Sequence, residues 1–196
     1  MDRKQIQFYS KNAEAYADST KFIRMNTQYE LFEKYLPKQP RILDCGFGSG
    51  RDTLHFMGLG AEVFAIDITR EFVTRLNNAG VINAYCIDFL DAPYNNFFDG
   101  VFMNDFLPMF MIGEYQKVFD KLYSLLRAKG ICYIATRTNE NMMMNGDVKG
   151  ISYFEDINDI NKYINKKFDL MQMSPFIPQN ASLENNVWFQ YILRKK

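Results

Sequence analysis

Three aspartates and one glycine turn, held at a fixed spacing, constrain this chain more than any other feature. Arg41-Ile42-Leu43-Asp44-Cys45 reads as a short buried strand and runs straight into Gly46-Phe47-Gly48-Ser49-Gly50. Glu62-Val63-Phe64-Ala65-Ile66 reads as a second strand, ending at Asp67, 21 residues after Gly46. Ala84-Tyr85-Cys86-Ile87 reads as a third, ending at Asp88, 21 residues after Asp67. Strands that alternate with helix-length segments belong to a parallel sheet covered on both faces. In such a sheet ligands bind beyond the carboxyl ends of the strands, where the strand order reverses. The spacing therefore predicts that all three carboxylates line one crevice. Glycines let the backbone approach a ligand and bare the first N–H groups of the next helix. An acid about twenty residues further on can accept both ribose hydroxyl protons. The pattern points to a nucleoside-type ligand.

The rest of the chain fits that frame. Ile6, Tyr9, Ala13 and Tyr16 step by three and four, as do Met25, Tyr29, Phe32 and Leu36. Both series predict amphipathic helices, the second ended by Pro37 and Pro40. Residues 1–40 are therefore expected to form a helical lid on a core of residues 41–196. Helices are expected from Asp52 to Leu59, from an N-cap at Thr69 to Asn78, and from Gly113 to Arg127, with Gly130 as a helix stop. Phe98 to Met103, Ile131 to Ala135, Phe168 to Met173 and Val187 to Leu193 read as strands. Phe154, Ile157, Ile160 and Ile164 mark one more helix, after a loop-like stretch over 139–150. No internal repeat and no dividing linker is visible.

Composition removes several function classes. The chain has 196 residues, with 23 Lys plus Arg against 23 Asp plus Glu. A balanced charge argues against a nucleic-acid binder or a polybasic membrane binder, though a local patch stays open. Cys45, Cys86 and Cys132 form no CxxC pair, and His55 is the single histidine. That reads as buried thiols in a reducing compartment, with neither a disulfide framework nor a metal site. No signal peptide is visible, and no apolar run is long enough to span a bilayer. A soluble cytoplasmic protein is the expectation.

The dinucleotide fingerprint G-x-G-x-x-G is not met, because position 51 is Arg51. What stands here, G-x-G-x-G directly after hydrophobic-hydrophobic-Asp, resembles motif I of the class I S-adenosylmethionine-dependent methyltransferases. Gly48-Ser49-Gly50-Arg51-Asp52-Thr53 looks like a branch of small members with a G-S-G-R-D-[ST] turn. The resemblance extends over nearly the whole chain. It implies a Rossmann-like, doubly wound, seven-stranded sheet, mostly parallel with an antiparallel last strand. It also implies S-adenosylmethionine as cofactor, with Gly46, Gly48 and Gly50 around its methionine part, Asp67 on its ribose and Asp88 at its adenine amino group. Phe47, a departure from the commoner Cys or Ala, then shapes the pocket with Ile68, Phe89 and Asn104.

Several roles stay open at this level. Asp44 either contacts the cofactor or only caps the turn. For Asp88 adenine contact is the preferred reading over a helix N-cap with Phe89 and Leu90 in the core. Tyr9 reads as packing, whereas Tyr16 is the expected lid aromatic. Asn104 and Asp105 either meet the acceptor or cap the next helix. Tyr16 and Asp105 are the candidate catalytic groups, should a proton have to leave. His55 reads as packed or solvated. The resemblance implies methyl transfer, and the lack of an inserted substrate domain together with the balanced charge points to a small-molecule acceptor. A non-catalytic nucleoside-binding module and a nicotinamide-dependent oxidoreductase are the alternatives. Asn104-Asp105-Phe106-Leu107 departs from [ND]-P-P-[YF], which argues against methylation of nucleic-acid bases.

Overall fold

The computed structural model describes residues 3–137, 160–164, 166–177 and 188–196. Its helices are α1 (Arg3–Thr20), α2 (Asn26–Glu33), α3 (Arg51–Gly58), α4 (Arg70–Asn78), α5 (Tyr115–Leu125) and α6 (Asn161–Ile164). Its strands are β1 (Arg41–Cys45), β2 (Glu62–Asp67), β3 (Ala84–Cys86), β4 (Phe98–Asn104), β5 (Leu126–Arg137), β6 (Phe168–Phe176) and β7 (Trp188–Lys195). One seven-stranded sheet runs in the order β3-β2-β1-β4-β5-β7-β6. Strands β1 to β5 are parallel, and β7 lies antiparallel between β5 and β6. This is the expected Rossmann-like architecture. The expected loop over 139–150, with Phe154, Ile157 and Pro178, lies outside the described residues.

Strand alternation sorts the core into two layers. Leu43, Cys45, Val101, Met103, Cys132 and Ile134 pack with α5 and α6 on one face. Ile42, Val63, Phe102, Tyr133 and Ile192 pack with α2 and α3 on the other. Ala65 continues that second face into a cluster with Phe72, Val73 and Leu76 of α4 and with Ala13 and Ala17 of α1. The two N-terminal helices are therefore unlike. In α2, Tyr29 and Phe32 are buried, and Phe32 meets Phe56, Phe102 and Tyr133 ring to ring. From Ile6 onward α1 buries only Ala13 and Ala17. Helix α2 is thus part of the core, and covering the sheet edge falls to α1.

The chain leaves α5 differently from the expectation. The helix ends at Leu125, and Leu126 is already extended and paired with Phe98. Gly130 is not the helix stop. The turn back into the ladder is made at Lys129, with φ 63°, and pairing resumes at Gly100–Ile131 after a register shift. Thr69 does occupy the N-cap of α4, but its side chain makes no capping bond. Lys195 closes the far end. Its buried ammonium donates to Asn96 Oδ1 and to the carbonyls of Tyr123 and Leu126, each at 2.7 Å.

Gly100 fixes how closely α2 approaches β4. A Cβ there would stand 2.7 Å from Phe32 Cζ and 2.9 Å from Leu36 Cδ2. The Phe32 ring is enclosed by other rings and has little room to yield. Gly100→Ala should therefore cost about 1–2 kcal/mol, overpacking strain outweighing the entropy gained from losing a glycine. Urea unfolding measures it, and an unchanged midpoint would show that α2 docks with slack.

Candidate active site

The site begins where β1 ends. Gly46 and Gly48 have φ of 68° and 51°, a left-handed backbone that side chains disfavour. A Cβ at Gly46 would lie 2.5 Å from Phe106 Cδ2, and one at Gly48 would lie 3.1 Å from Tyr16 Cε1. Both positions also need glycine for space. The turn is tied to β2 by Gly46 N–H on the Ile66 carbonyl at 2.8 Å. Asp67 completes the tie, with Oδ2 accepting from Gly48 N–H at 3.2 Å and Oδ1 from Thr69 N–H at 2.8 Å. Burial raises the Asp67 pKa, and those two N–H groups oppose the rise.

Beneath the turn lies a buried polar network. Asp52 pairs with Arg51 through two bonds, Nε to Oδ1 at 2.6 Å and Nη2 to Oδ2 at 2.8 Å. Tyr29 donates its hydroxyl to Asp52 Oδ1, and Asn104 Nδ2 approaches Oδ2 at 3.4 Å. Arg51 Nη1 also reaches the Thr20 carbonyl at the end of α1, at 3.4 Å. Asp44 accepts from the Thr53 hydroxyl at 2.6 Å. Burial first, and then the Asp52 carboxylate, push the Asp44 carboxyl up to about 8. His55 stacks on Tyr29 with centroids 3.7 Å apart and pairs with Glu33 at 2.7 Å, so it braces α3 against α2.

Strand β4 delivers the opposite wall. Asn104 is its last residue, and Asp105 follows with φ 53°. Aspartate tolerates that backbone better than most residues. The conformation is held by Asp105 N–H on the Ala135 carbonyl at 2.9 Å. Above the turn, Tyr16 lies 5.3 Å from Tyr9 and 5.7 Å from Phe72, centroid to centroid. Desolvation of its hydroxyl end in the cleft, and then Tyr9 and Asp105, raise the Tyr16 pKa. Its phenol therefore stays protonated near neutral pH.

Two cavities meet at this point. The first, of about 590 Å³, is lined by Tyr9, Tyr16, Gly46, Gly48, Asp67, Ile68, Thr69, Phe72, Asn104 and Asp105, among others. The second, of about 730 Å³, lies on the Arg51–Asp52 side and reaches Phe176 and Trp188. Tyr16, Gly46, Gly48, Asn104 and Asp105 border both.

The structure therefore gathers Tyr16, Gly46, Gly48, Asp67, Ile68, Asn104 and Asp105 around the first cavity, and Phe47 joins the walls of the second. The expectation that all three strand-end acids line one crevice is met by Asp67 alone. Asp44 is one residue short of the strand end, so its side chain turns under the loop toward Thr53. Asp88 caps the 3₁₀ turn Phe89–Asp91 by accepting from Leu90 N–H at 2.9 Å. Phe89 is buried against Phe106 and Phe110, so it supports the residue that covers Gly46. Gly50, with φ 80°, is the N-cap of α3.

Sequence reasoning missed the Arg51–Asp52–Tyr29 network. The signal was a cation in the first turn of α3, where the helix dipole disfavours positive charge. A basic residue at that place needs an acid close by, and Asp52 follows it.

The acid beneath the turn sets a pH dependence. Unfolded, Asp44 titrates near about 3.9, whereas the folded chain keeps its proton up to about 8. Between those values the native state binds more protons, so stability falls as pH rises. Asp67 shifts in the same direction. In Asp44→Asn the fall of the melting temperature between about pH 5 and 8 should become shallower. Parallel melting curves for variant and parent would show that Asp44 is ionised in the fold.

Residues 43–134 match the model of a methyltransferase domain family. No curated protein matches the chain in sequence. An S-adenosylmethionine-dependent methyltransferase from Methanosarcina mazei superposes with a TM-score of 0.73 at 16% identity, over 85% of this chain and 97% of that one. The 1,6-didemethyltoxoflavin-N1-methyltransferase of Burkholderia thailandensis, solved with its substrate and S-adenosylhomocysteine, gives 0.76 at 17%, over 98% and 86%. The N-methyltransferase NodS of Bradyrhizobium japonicum, with S-adenosylhomocysteine, gives 0.68 at 12%, over 87% and 84%. The glycine turn and the buried acid of β2 lie within the stretch that matches the methyltransferase domain model, and the chain shares the fold of these S-adenosylmethionine-dependent methyltransferases.

Proposed function

We propose that this methyltransferase acts on a small molecule held in the second cavity, with S-adenosylmethionine in the first. The observation that carries the reading is the meeting of two compact cavities at Gly46, Gly48, Asn104 and Asp105. Two separate pockets that meet at one seam beneath α1 suit two small ligands end to end, whereas a polymer needs a continuous groove. The M. mazei, B. thailandensis and B. japonicum proteins carry the same fold. The B. thailandensis protein's named substrate is a small molecule. The charge balance, 23 against 23, adds no general attraction to phosphate backbones. Among the described residues no helix is long and apolar enough to cross a membrane.

The residues of the first cavity suit the cofactor. Gly46 and Gly48 let Phe106 and Tyr16 close down on the turn where any Cβ would intrude. Asp67 holds the turn with one face of its carboxylate and offers its remaining lone pairs to the ribose hydroxyls. Ile68 and Phe72 supply apolar walls, and Tyr16 and Tyr9 close the site from α1. Bound there, S-adenosylmethionine supplies an electrophilic methyl group. The chain's own work is to align the acceptor, exclude water, and take up a proton where one must leave. Asp105 suits that last task, since Tyr16 stays protonated.

Asp67→Ala should weaken binding of S-adenosylhomocysteine by about 30- to 1000-fold, two hydrogen bonds to a charged acceptor being lost and partly replaced by water. Calorimetry on the folded variant reads this, and an unchanged dissociation constant would remove Asp67 from the ribose site. Binding of a nicotinamide dinucleotide in place of the S-adenosyl ligand would overturn the cofactor assignment. The acceptor class is tested by methyl transfer from radiolabelled cofactor into a cell extract separated by size. Label is expected in the low-mass fraction, and label confined to RNA, DNA or protein would reject the small-molecule reading.

A further inference from the structure

The second cavity is built differently at the seam and away from it. Tyr16, Gly46, Gly48, Asn104 and Asp105 border both cavities, whereas Ile23, Met25, Phe176 and Trp188 border the second alone. Arg51 and Asp52 also line only the second, bound to each other. The four apolar residues come from two places. Ile23 and Met25 belong to the connection between α1 and α2, and Phe176 and Trp188 are the last residue of β6 and the first of β7. All four pack in the layer of Phe32, Phe102 and Tyr133. The walls beyond the seam thus include one continuous apolar group.

The sheet topology places Trp188 in that group. Strand β7 is antiparallel to both its neighbours, so its first residue lies at the edge where β5 and β6 end. Trp188 pairs there with Arg137 on one side and Phe176 on the other. Residues directly opposite across strands point to one face. Here it is the face of α2 and α3, to which Gln190 and Ile192 also point at the strand period. The Trp188 and Phe176 rings meet with centroids 5.9 Å apart and planes at 56°. Both residues are half-buried, so part of each ring is left for the cavity. An indole held by a strand ladder and a second ring offers a large contact area at low cost in conformational entropy.

We propose that Trp188 selects the acceptor: the acceptor's apolar part lies on Trp188, among Phe176, Ile23 and Met25, while its nucleophilic atom reaches the seam. The inference rests on the small-molecule reading above and adds a class, an acceptor with an apolar part beside the group that is methylated. With the cofactor in the first cavity, the nucleophile has to face Gly46, Gly48, Asn104 and Asp105, and the rest of the acceptor extends toward the far walls. Apolar surface buried there holds it in register. Trp188 touches the body of the acceptor and not the reacting atoms, so it acts through binding and alignment.

The test incubates the full chain with labelled S-adenosylmethionine and the low-mass fraction of a cell extract, and passes the labelled low-mass product over a reversed-phase column. Retention is expected. An unretained product overturns the apolar class and leaves the small-molecule reading standing, whereas absence of any labelled low-mass product rejects both. Trp188 is the chain's single tryptophan, so its emission reports on the far walls. At a concentration that inhibits turnover, the isolated product should shield Trp188 from acrylamide quenching, and S-adenosylhomocysteine should not. Inhibition without shielding, or equal shielding by S-adenosylhomocysteine, overturns the placement. Trp188→Ala should raise the amount of extract needed for half-maximal turnover by about 10- to 100-fold. Trp188→Phe should fall between variant and parent, and both should bind S-adenosylhomocysteine within about 3-fold of the parent. An unchanged half-saturation, or a loss matched by weaker S-adenosylhomocysteine binding, overturns the role given to Trp188.

Discussion

The Asp52 carboxylate is bonded from three sides at once. It accepts from Tyr29 of α2, from Arg51 beside it in α3 and from Asn104 at the end of β4. The elements that surround the glycine turn are thereby fixed relative to one another by one buried charge. A desolvated ion pair is poor evidence for overall stability, because its desolvation offsets much of its attraction. Its value here is geometric. The alternatives to the observed arrangement each leave a buried charge unmatched, which is far more costly than a lost apolar contact. The position of Asn104, and hence the seam between the two cavities, follows from that constraint.

The sheet order explains why the seam falls there. Strand β1 has β2 on one side and β4 on the other, and this is the place where the order reverses and a crevice opens. The two chains leaving that place both need left-handed backbone, at Gly46 and Gly48 after β1 and at Asp105 after β4. Each is held by a ladder-type bond to a neighbouring strand, Gly46 to Ile66 and Asp105 to Ala135. Unfavourable dihedrals persist where surrounding bonds over-determine them, and they gather at functional sites for that reason.

Much of this was legible in the sequence because it rests on local rules. Alternating apolar strands, a glycine turn and an acid at the end of β2 fix a parallel sheet and a site at its carboxyl edge. What escaped depends on side chains far apart in sequence. Nothing local marks Tyr29 as the partner of Asp52, 23 residues away, or Asp44 as turned toward Thr53 rather than into the cleft. The end of α5 was misjudged for a related reason. Leu126 and Arg127 suit a helix, but pairing of Leu126 with Phe98 outweighs that propensity. Tertiary pairing also moved α2 from the expected lid into the core, because Phe32 finds a ring-lined pocket at Gly100 that no periodicity reveals.

The covering helix α1 is held in a way that suits its place. Its buried residues from Ile6 onward are the alanines 13 and 17, small enough to let it lie close against α4. Burying two methyl side chains contributes little compared with the rings that dock α2. The Asp18–Arg75 pair between α1 and α4, at 3.3 Å, is solvent-exposed on both sides and adds almost nothing to stability. What remains is the aromatic group of Tyr9, Tyr16 and Phe72, which stands over the cleft itself. The strongest apolar hold on α1 is thus the contact that a ligand in the first cavity would share.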